Sequence, residues 1–362
     1  MKRLGDICEI VSGTTPKTTE AVFWDGDIKW ITPAELSENS FYVSDTVRHI
    51  TDLGQKKSRL SLMPEGTVLL SSRAPIGKTA IVASPMCCNQ GFKNLICGPE
   101  VFNEYLYFFL TAKTEYLNSL GRGATFKEIS KKIVENIEIP LPSVEIQKHC
   151  AGVLRKVNGL IEKRRTQIAT LNSLVKSQFV EMFPRGKWPS TSVEQALYIR
   201  DDLRKPLNEE SRSKMKDGKL YPYYGANGQV DSINQYMIDD EALCLAEDCG
   251  AYGAGEDTSY IIKGKSWVNN HAHVLFATEK CNIVYANIYF KMLDFTSHVT
   301  GTTRLKLTQS SLKQIPVMLP PIEHQQLFEK VVNQVDKSKF TIQKSLDTLL
   351  VLKKSLMQTY FG

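Results

Sequence analysis

Residues Gly123 to Pro184, moved forward by 178 positions, fall without a gap on Gly301 to Gly362. Of the 62 positions 15 are identical, among them Thr125 with Thr303, Ile137 with Ile315, Leu141 with Leu319 and Phe183 with Phe361. Identity is faint and spacing strict. So long a period marks a duplicated domain, because solenoid repeats run only about 20–50 residues. Two copies of one unit give a chain two related sites with which to meet a ligand.

The repeated arms read as helices. From Val144 to Phe183 no proline intervenes, and Leu154, Val157, Ile161, Ile168, Leu171, Val175 and Met182 recur at the spacings of a heptad seam. The second arm keeps the frame at Val332, Val335, Ile342, Leu346, Leu349, Leu356 and Tyr360. Polar residues interrupt the seams at different points, Arg164 and Gln178 in one, Lys339 and Lys353 in the other, and each falls where the other copy is apolar. Polar seam residues fix register and partner orientation in coiled coils, so the arms are expected to pair with each other. The alternative is two amphipathic helices packed separately on globular domains. Each arm is entered through prolines, Pro140 and Pro142 in the first and Pro320 and Pro321 in the second, which hold the chain extended. Glu145 and Glu323 then stand in the first turn, where the helix dipole favours an anion. A 40-residue helix is a rod of about 60 Å.

The 362 residues, 42% of them hydrophobic, suffice for two ordinary domains with buried cores. Nothing at the N-terminus resembles a signal peptide and no apolar run approaches the roughly 20 residues that span a bilayer, so a cytoplasmic, membrane-free protein is expected. Eight cysteines form no Cys-x-x-Cys pair, which argues against a zinc ribbon or redox motif. The net charge of +6 is not by itself a sign of nucleic acid. Residues 1–142 and 185–320 each hold 16 basic and 16 acidic side chains, and the surplus lies in the arms, 7 against 3 in 143–184 and 6 against 4 in 321–362.

The globular segments read as mixed α and β. Strand-like runs at Thr67–Leu70, Ala80–Ala83 and His273–Phe276 alternate with loops rich in Gly, Pro, Asn and Ser, and Tyr105–Leu120 is helical in pattern. Weak parallels persist in order: Gly77-Lys78-Thr79 ahead of Asn89-Gln90-Gly91, and Gly264-Lys265-Ser266 ahead of Asn269-Asn270-His271. One scaffold carrying two different readers is the simplest account.

Several motifs invite chemistry that their context withholds. Gly77-Lys78-Thr79 and Gly264-Lys265-Ser266 resemble the end of a phosphate-binding loop, but the glycine required five residues earlier is Ser72 or Ser259. His271 and His273 lie on one side of a strand with no carboxylate or thiol at ligand spacing, which favours a satisfied pair over a metal site. Asn269 and Asn270 suit bidentate contact with adenine and equally suit a turn. Asp239, Asp240 and Glu241 read as a solvated acidic loop, since no lysine stands downstream at nuclease spacing.

The whole chain resembles the specificity subunits of type I restriction-modification systems. The resemblance is carried by Leu4-Gly5-Asp6-Ile7, by the Pro-x-x-Glu-x-Gln entrances at Pro142 and Pro320, by Tyr223-Tyr224-Gly225-Ala226-Asn227-Gly228, and by Trp267 to Val274. It implies an α+β fold: two mixed α/β target-recognition domains related by pseudo-twofold symmetry and joined by two long antiparallel coiled-coil helices. The domains would be 1–142 and 185–320, the helices 143–184 and 321–362. It further implies a non-catalytic subunit that reads a bipartite sequence in double-stranded DNA. The helices would set the gap and dock two methyltransferase subunits that use S-adenosylmethionine, with restriction subunits left open.

Base and phosphate readout uses Arg, Lys, Asn, Thr and Tyr in loops. The candidates are Lys17, Arg73, Lys78, Thr79, Arg122 and Lys127 in the first domain, and Arg204, Lys205, Tyr223, Tyr224, Asn227, Lys265 and Arg304 in the second. The rivals are a self-sufficient methyltransferase or nuclease with fused readers, and a coiled-coil adaptor with no nucleic-acid role. A glycine-rich dinucleotide fingerprint and an Asn-Pro-Pro-Tyr-type base-flipping motif are both missing from the sequence.

Overall fold

The computed structural model describes residues 1–37, 40–73, 75–123, 127–301 and 305–362. Two compact units emerge, one of residues 1–164 and 345–362 and the other of residues 165–344. The two long helices, Val144–Met182 and Ile322–Phe361, each contribute one part to the first unit and the rest to the second.

The first unit has a five-stranded sheet with the spatial order Cys8–Val11, Asn94–Cys97, Val68–Leu70, Thr79–Val82, Tyr42–Val43. A smaller sheet orders Arg48–Ile50, Trp24–Ile31 and Cys87–Cys88, with the last two strands parallel at Trp30 and Cys87. The second unit repeats the plan. Its larger sheet runs Tyr198–Ile199, Ala272–Phe276, Ala242–Ala246, Ser259–Ile262, and its smaller one runs Gly228–Ile233, Tyr221–Gly225, Lys265–Val268, Ile238–Asp239. Here too the middle strands of the smaller sheet are parallel, at Tyr223 and Trp267.

The central strands are apolar throughout because both faces are covered. Val68 and Leu70 enter a core with the helix Asn103–Ala112, while Leu69 points into a second core with Ile31 and Cys88 of the smaller sheet. Leu243 and Leu245 face the helix Ile283–Met292 in the same way, and Ala242 and Cys244 face Val268. The helical run expected over 105–120 breaks at Lys113, whose φ of −101° and ψ of 16° leave the helix before Thr114–Ser119 resumes it. The turn lets Leu117 reach the same core.

Each helix entrance is fixed by a buried glutamine. The Gln147 side chain accepts from Phe102 N–H at 2.8 Å and donates to the carbonyls of Glu100 at 2.9 Å and Pro142 at 2.8 Å. Gln325 does the same with Asn282 N–H at 2.8 Å, Lys280 O at 2.9 Å and Pro320 O at 2.7 Å. The Pro-x-x-Glu-x-Gln motif is thus a staple. Its glutamate faces solvent, and at Glu145 the helix's own backbone N–H, then Ser143, hold the carboxyl below its usual range.

Within each unit the helix segments pair antiparallel. In the first, Cys150 and Leu154 share a core with Phe361 and Leu356, and farther along Arg164 Nε donates to Ser345 Oγ at 3.2 Å. In the second, Val175 and Phe179 pack with Val335, Val332 and Phe328. Phe361 closes edge-on against Tyr105 at 5.1 Å, and its counterpart Phe183 does so against Tyr285 at 4.9 Å. The C-terminal ring therefore belongs to the first unit. That placement is what a heptad seam shared by both arms requires.

Candidate nucleic-acid interface

Beside the larger sheet of each unit, a backbone bridge closes a short segment at equivalent positions. Arg122 and Glu128 exchange backbone hydrogen bonds of 3.0 and 2.9 Å, and Thr300 and Lys306 exchange bonds of 2.9 and 2.8 Å. The residue after each bridge ties to the sheet, Ile129 N–H to Ser72 O and Leu307 N–H to Glu247 O. Next to the tie, Asn89 and Asn269 turn their side chains onto the N–H of Gly91 and His271, at 2.9 and 2.8 Å.

The charges under these bridges differ between the copies. In the first unit Glu128 accepts from Arg73 Nε at 2.9 Å and Lys93 Nζ at 3.2 Å. In the second, Glu247 meets Lys306 at 2.7 Å and also pairs with Arg204. Arg204 reaches Asp201 at 3.1 Å, and Asp201 meets Nδ1 of the wholly buried His273 at 2.7 Å. The other His273 nitrogen bonds Leu307 O at 2.8 Å, so both ring nitrogens are engaged. Burial opposes ionisation of Glu128, Asp201 and Glu247, yet hydrogen bonds and charges from their neighbours (Arg73 and Lys93 at Glu128, His273 and Arg204 at Asp201, Lys306 and Arg204 at Glu247) outweigh it, and each carboxyl titrates below its usual range.

That depression fixes a sign. A carboxyl whose folded pKa lies below its unfolded value of about 4 adds stability that is complete above that value and is lost as pH falls through the folded one. The melting temperature is expected to be flat from pH 7 to 5 and to fall steeply below 4. Glu247→Gln should flatten part of that fall, and a variant melting profile parallel to the parent's would count against it.

The smaller sheets display cations propped on rings. The Arg48 guanidinium lies 3.5 Å from the centre of Trp24, and the Lys265 ammonium 4.6 Å from that of Tyr236. The Tyr236 hydroxyl, ahead of Asp239, strengthens the hold of Lys265 on its proton. A planar or elongated cation held on an aromatic face is ready to meet phosphate or a base edge.

The sequence-derived candidates fall into three groups. Arg73 pairs with the Glu128 carboxylate, Arg122 bridges Glu128 through the backbone, exposed Lys127 precedes it in the chain, and Arg204 belongs to the equivalent cluster around Glu247. Lys17, Lys205, Asn227 and Lys265 are exposed, Asn227 at the tip of the hairpin joining Tyr221–Gly225 to Gly228–Ile233. The third group is built into the scaffold. Lys78 Nζ donates to Leu36 O at 2.6 Å, Thr79 is 5% exposed with its hydroxyl on Gly77 O, and Tyr223 is 1% exposed with its hydroxyl accepting from Leu207 N–H. Tyr224 is half-buried against Tyr260. Arg304 lies outside the described residues.

Sequence reasoning missed Arg48, Lys93, Glu128, Glu247 and Lys306. The 178-residue shift carries Glu128 onto Lys306 and was the available signal.

A family model described as the type I restriction modification DNA specificity domain matches residues 1–172 and 204–350. The chain belongs to this family of specificity subunits. Two matched segments correspond to two target-recognition domains. The chain is 31% identical to the type I restriction enzyme MjaIX specificity subunit of Methanocaldococcus jannaschii, over 97% of this chain and 91% of that one. It is 21% identical to the EcoprrI specificity subunit of Escherichia coli, over 92% and 86%. The crystal structure of the S subunit from M. genitalium matches the fold with a TM-score of 0.65 at 15% identity, covering 100% of this chain and 95% of that one. No described helix is long and apolar enough to cross a membrane.

Proposed function

We propose that this specificity subunit is the non-catalytic reader of a type I restriction-modification complex. Residues 1–142 and 185–320 each recognise one half of a bipartite DNA target, while the helices 143–184 and 321–362 set the gap and dock two methyltransferase subunits. The observation that carries this reading is the repeated reader topology with unlike charge under the equivalent segments 122–128 and 300–306. Two sites on one scaffold that differ in their polar side chains suit two different half-sites. Contacts to phosphate fall to Lys17, Lys127, Lys205 and Lys265, and contacts to bases to Arg73, Arg122, Asn227 and Arg304.

Transfer of the methyl group belongs to the partner, which binds S-adenosylmethionine and draws the target base out of the duplex. Restriction subunits would join the same complex when cleavage is its outcome. Incubating the purified chain with DNA and labelled S-adenosylmethionine should give no incorporation, and adding methyltransferase should restore it at one bipartite site. Methylation by the chain alone would instead support a fused enzyme.

A further inference from the structure

The carboxylates beneath the two bridged segments have no evident place in a DNA-binding face, since a polyanion repels them. Each is nevertheless ion-paired at the foot of its segment. In the first unit the anion sits on the segment itself, at Glu128, and the cations Lys93 and Arg73 come from the sheet side. In the second the cation sits on the segment, at Lys306, and the anion Glu247 comes from the sheet side. Position 128 shifted by 178 is 306, and Ser72 and Glu247 make equivalent backbone bonds to Gly91 and Ile129 and to His271 and Leu307. The attachment is conserved in form with its polarity reversed.

Each pair joins one buried charge to a more exposed partner, and a charge held in a low-exposure site ties its partner to one geometry more than it adds net stability. The buried members are the sheet-side ones, Lys93 with 10% of its side chain exposed and Glu247 with 8%, whereas Glu128 and Lys306 on the segments are 34% and 53% exposed. Arg122 and Lys127 flank Glu128 on the same short segment, so the angle at which they leave the domain is set where Glu128 is held.

We propose that Glu128 with Lys93, and Glu247 with Lys306, are positioning residues for DNA reading: each pair fixes the segment that presents its domain's contacts, and the reversed polarity makes the two presentations unlike. The inference rests on the function proposed above and adds which residues act without touching DNA.

The test uses the full-length chain and duplexes carrying the blocks that the unaltered chain selects from a random pool. In each measurement one half-site at a time is scrambled. Glu128→Gln and Glu247→Gln each remove a negative charge, so through general electrostatics alone they would tighten binding to every sequence. The expected result is the opposite: at least about a tenfold loss of affinity for the intact target, the worth of one good bidentate base contact. The loss should be confined to the half-site read by the altered domain, with non-specific affinity unchanged or higher. Glu128→Asp and Lys306→Arg, which keep the paired charges, should show little of that loss.

Lys306→Met leaves Glu247 paired with Arg204 and serves if Glu247→Gln does not fold. Its loss should also be specific to one half-site rather than uniform across sequences, as a lost phosphate contact would be. Equal or tighter binding to intact and scrambled duplexes by the Gln variants overturns the inference while leaving the proposed function standing. An unaltered chain that selects no block removes that function, and this inference with it.

Discussion

Inserting one heptad into both long helices, between Arg164 and Arg165 and between Lys344 and Ser345, should widen the gap between the recognised half-sites by about three base pairs. Seven residues add about 10.5 Å to a helix, and DNA rises about 3.4 Å per base pair. A whole heptad preserves the seam, so each half of the pair keeps its partners. The two points face one another in the antiparallel arrangement, as the Arg164–Ser345 hydrogen bond indicates. Between Glu162 and Leu174 no residue of the first helix is buried, and beside the second insertion point the buried Leu346 keeps its place in the seam when both helices grow by a whole heptad. The bases within each half-site should stay the same. Insertion into one helix alone leaves seven residues unmatched and should abolish ordered binding. Methylation sequencing in cells carrying each variant reads the gap directly, and an unchanged gap in the doubly extended protein would refute the helices' role as a ruler.

The second large effect is on stability. Gln147→Leu removes a side chain of similar size whose three hydrogen bonds satisfy Phe102 N–H and the carbonyls of Glu100 and Pro142. Each buried polar group left without a partner costs about 1–3 kcal/mol, so a loss of roughly 4 kcal/mol is expected, allowing for some access of water. Gln325→Leu should cost about the same in the other unit, and the two should add because the sites share no partner. Denaturant unfolding of the single and double variants measures both quantities. A single-variant loss below about 1 kcal/mol would mean that the staple is dispensable.

What the sequence disclosed depended on whether a feature was periodic or local. The helices at Val144–Met182 and Ile322–Phe361 were legible because a heptad seam and a proline entrance are local signals. The importance of Gln147 and Gln325 was visible as a repeated motif, but two of the three partners of each lie more than 40 residues upstream and leave no mark on the neighbouring sequence.

The site was less legible for the same reason. Lys78 read as a loop lysine, yet its ammonium ends on the carbonyls of Pro33 and Leu36. Tyr223 read as a contact residue but sits in the strand that pairs with Trp267. Lys93 was passed over because Phe92 and Leu95 around it make a core strand, and only the fold brings Glu128 beneath it. Charge balance in residues 1–142 concealed the convergence of Arg73 and Lys93 on one carboxylate, that of Glu128.

The most direct measurement is selection of duplexes from a random pool by the full-length chain together with its methyltransferase, followed by sequencing. The account expects two short constant blocks separated by a fixed number of unconstrained base pairs. One continuous block, or no enrichment, would contradict it.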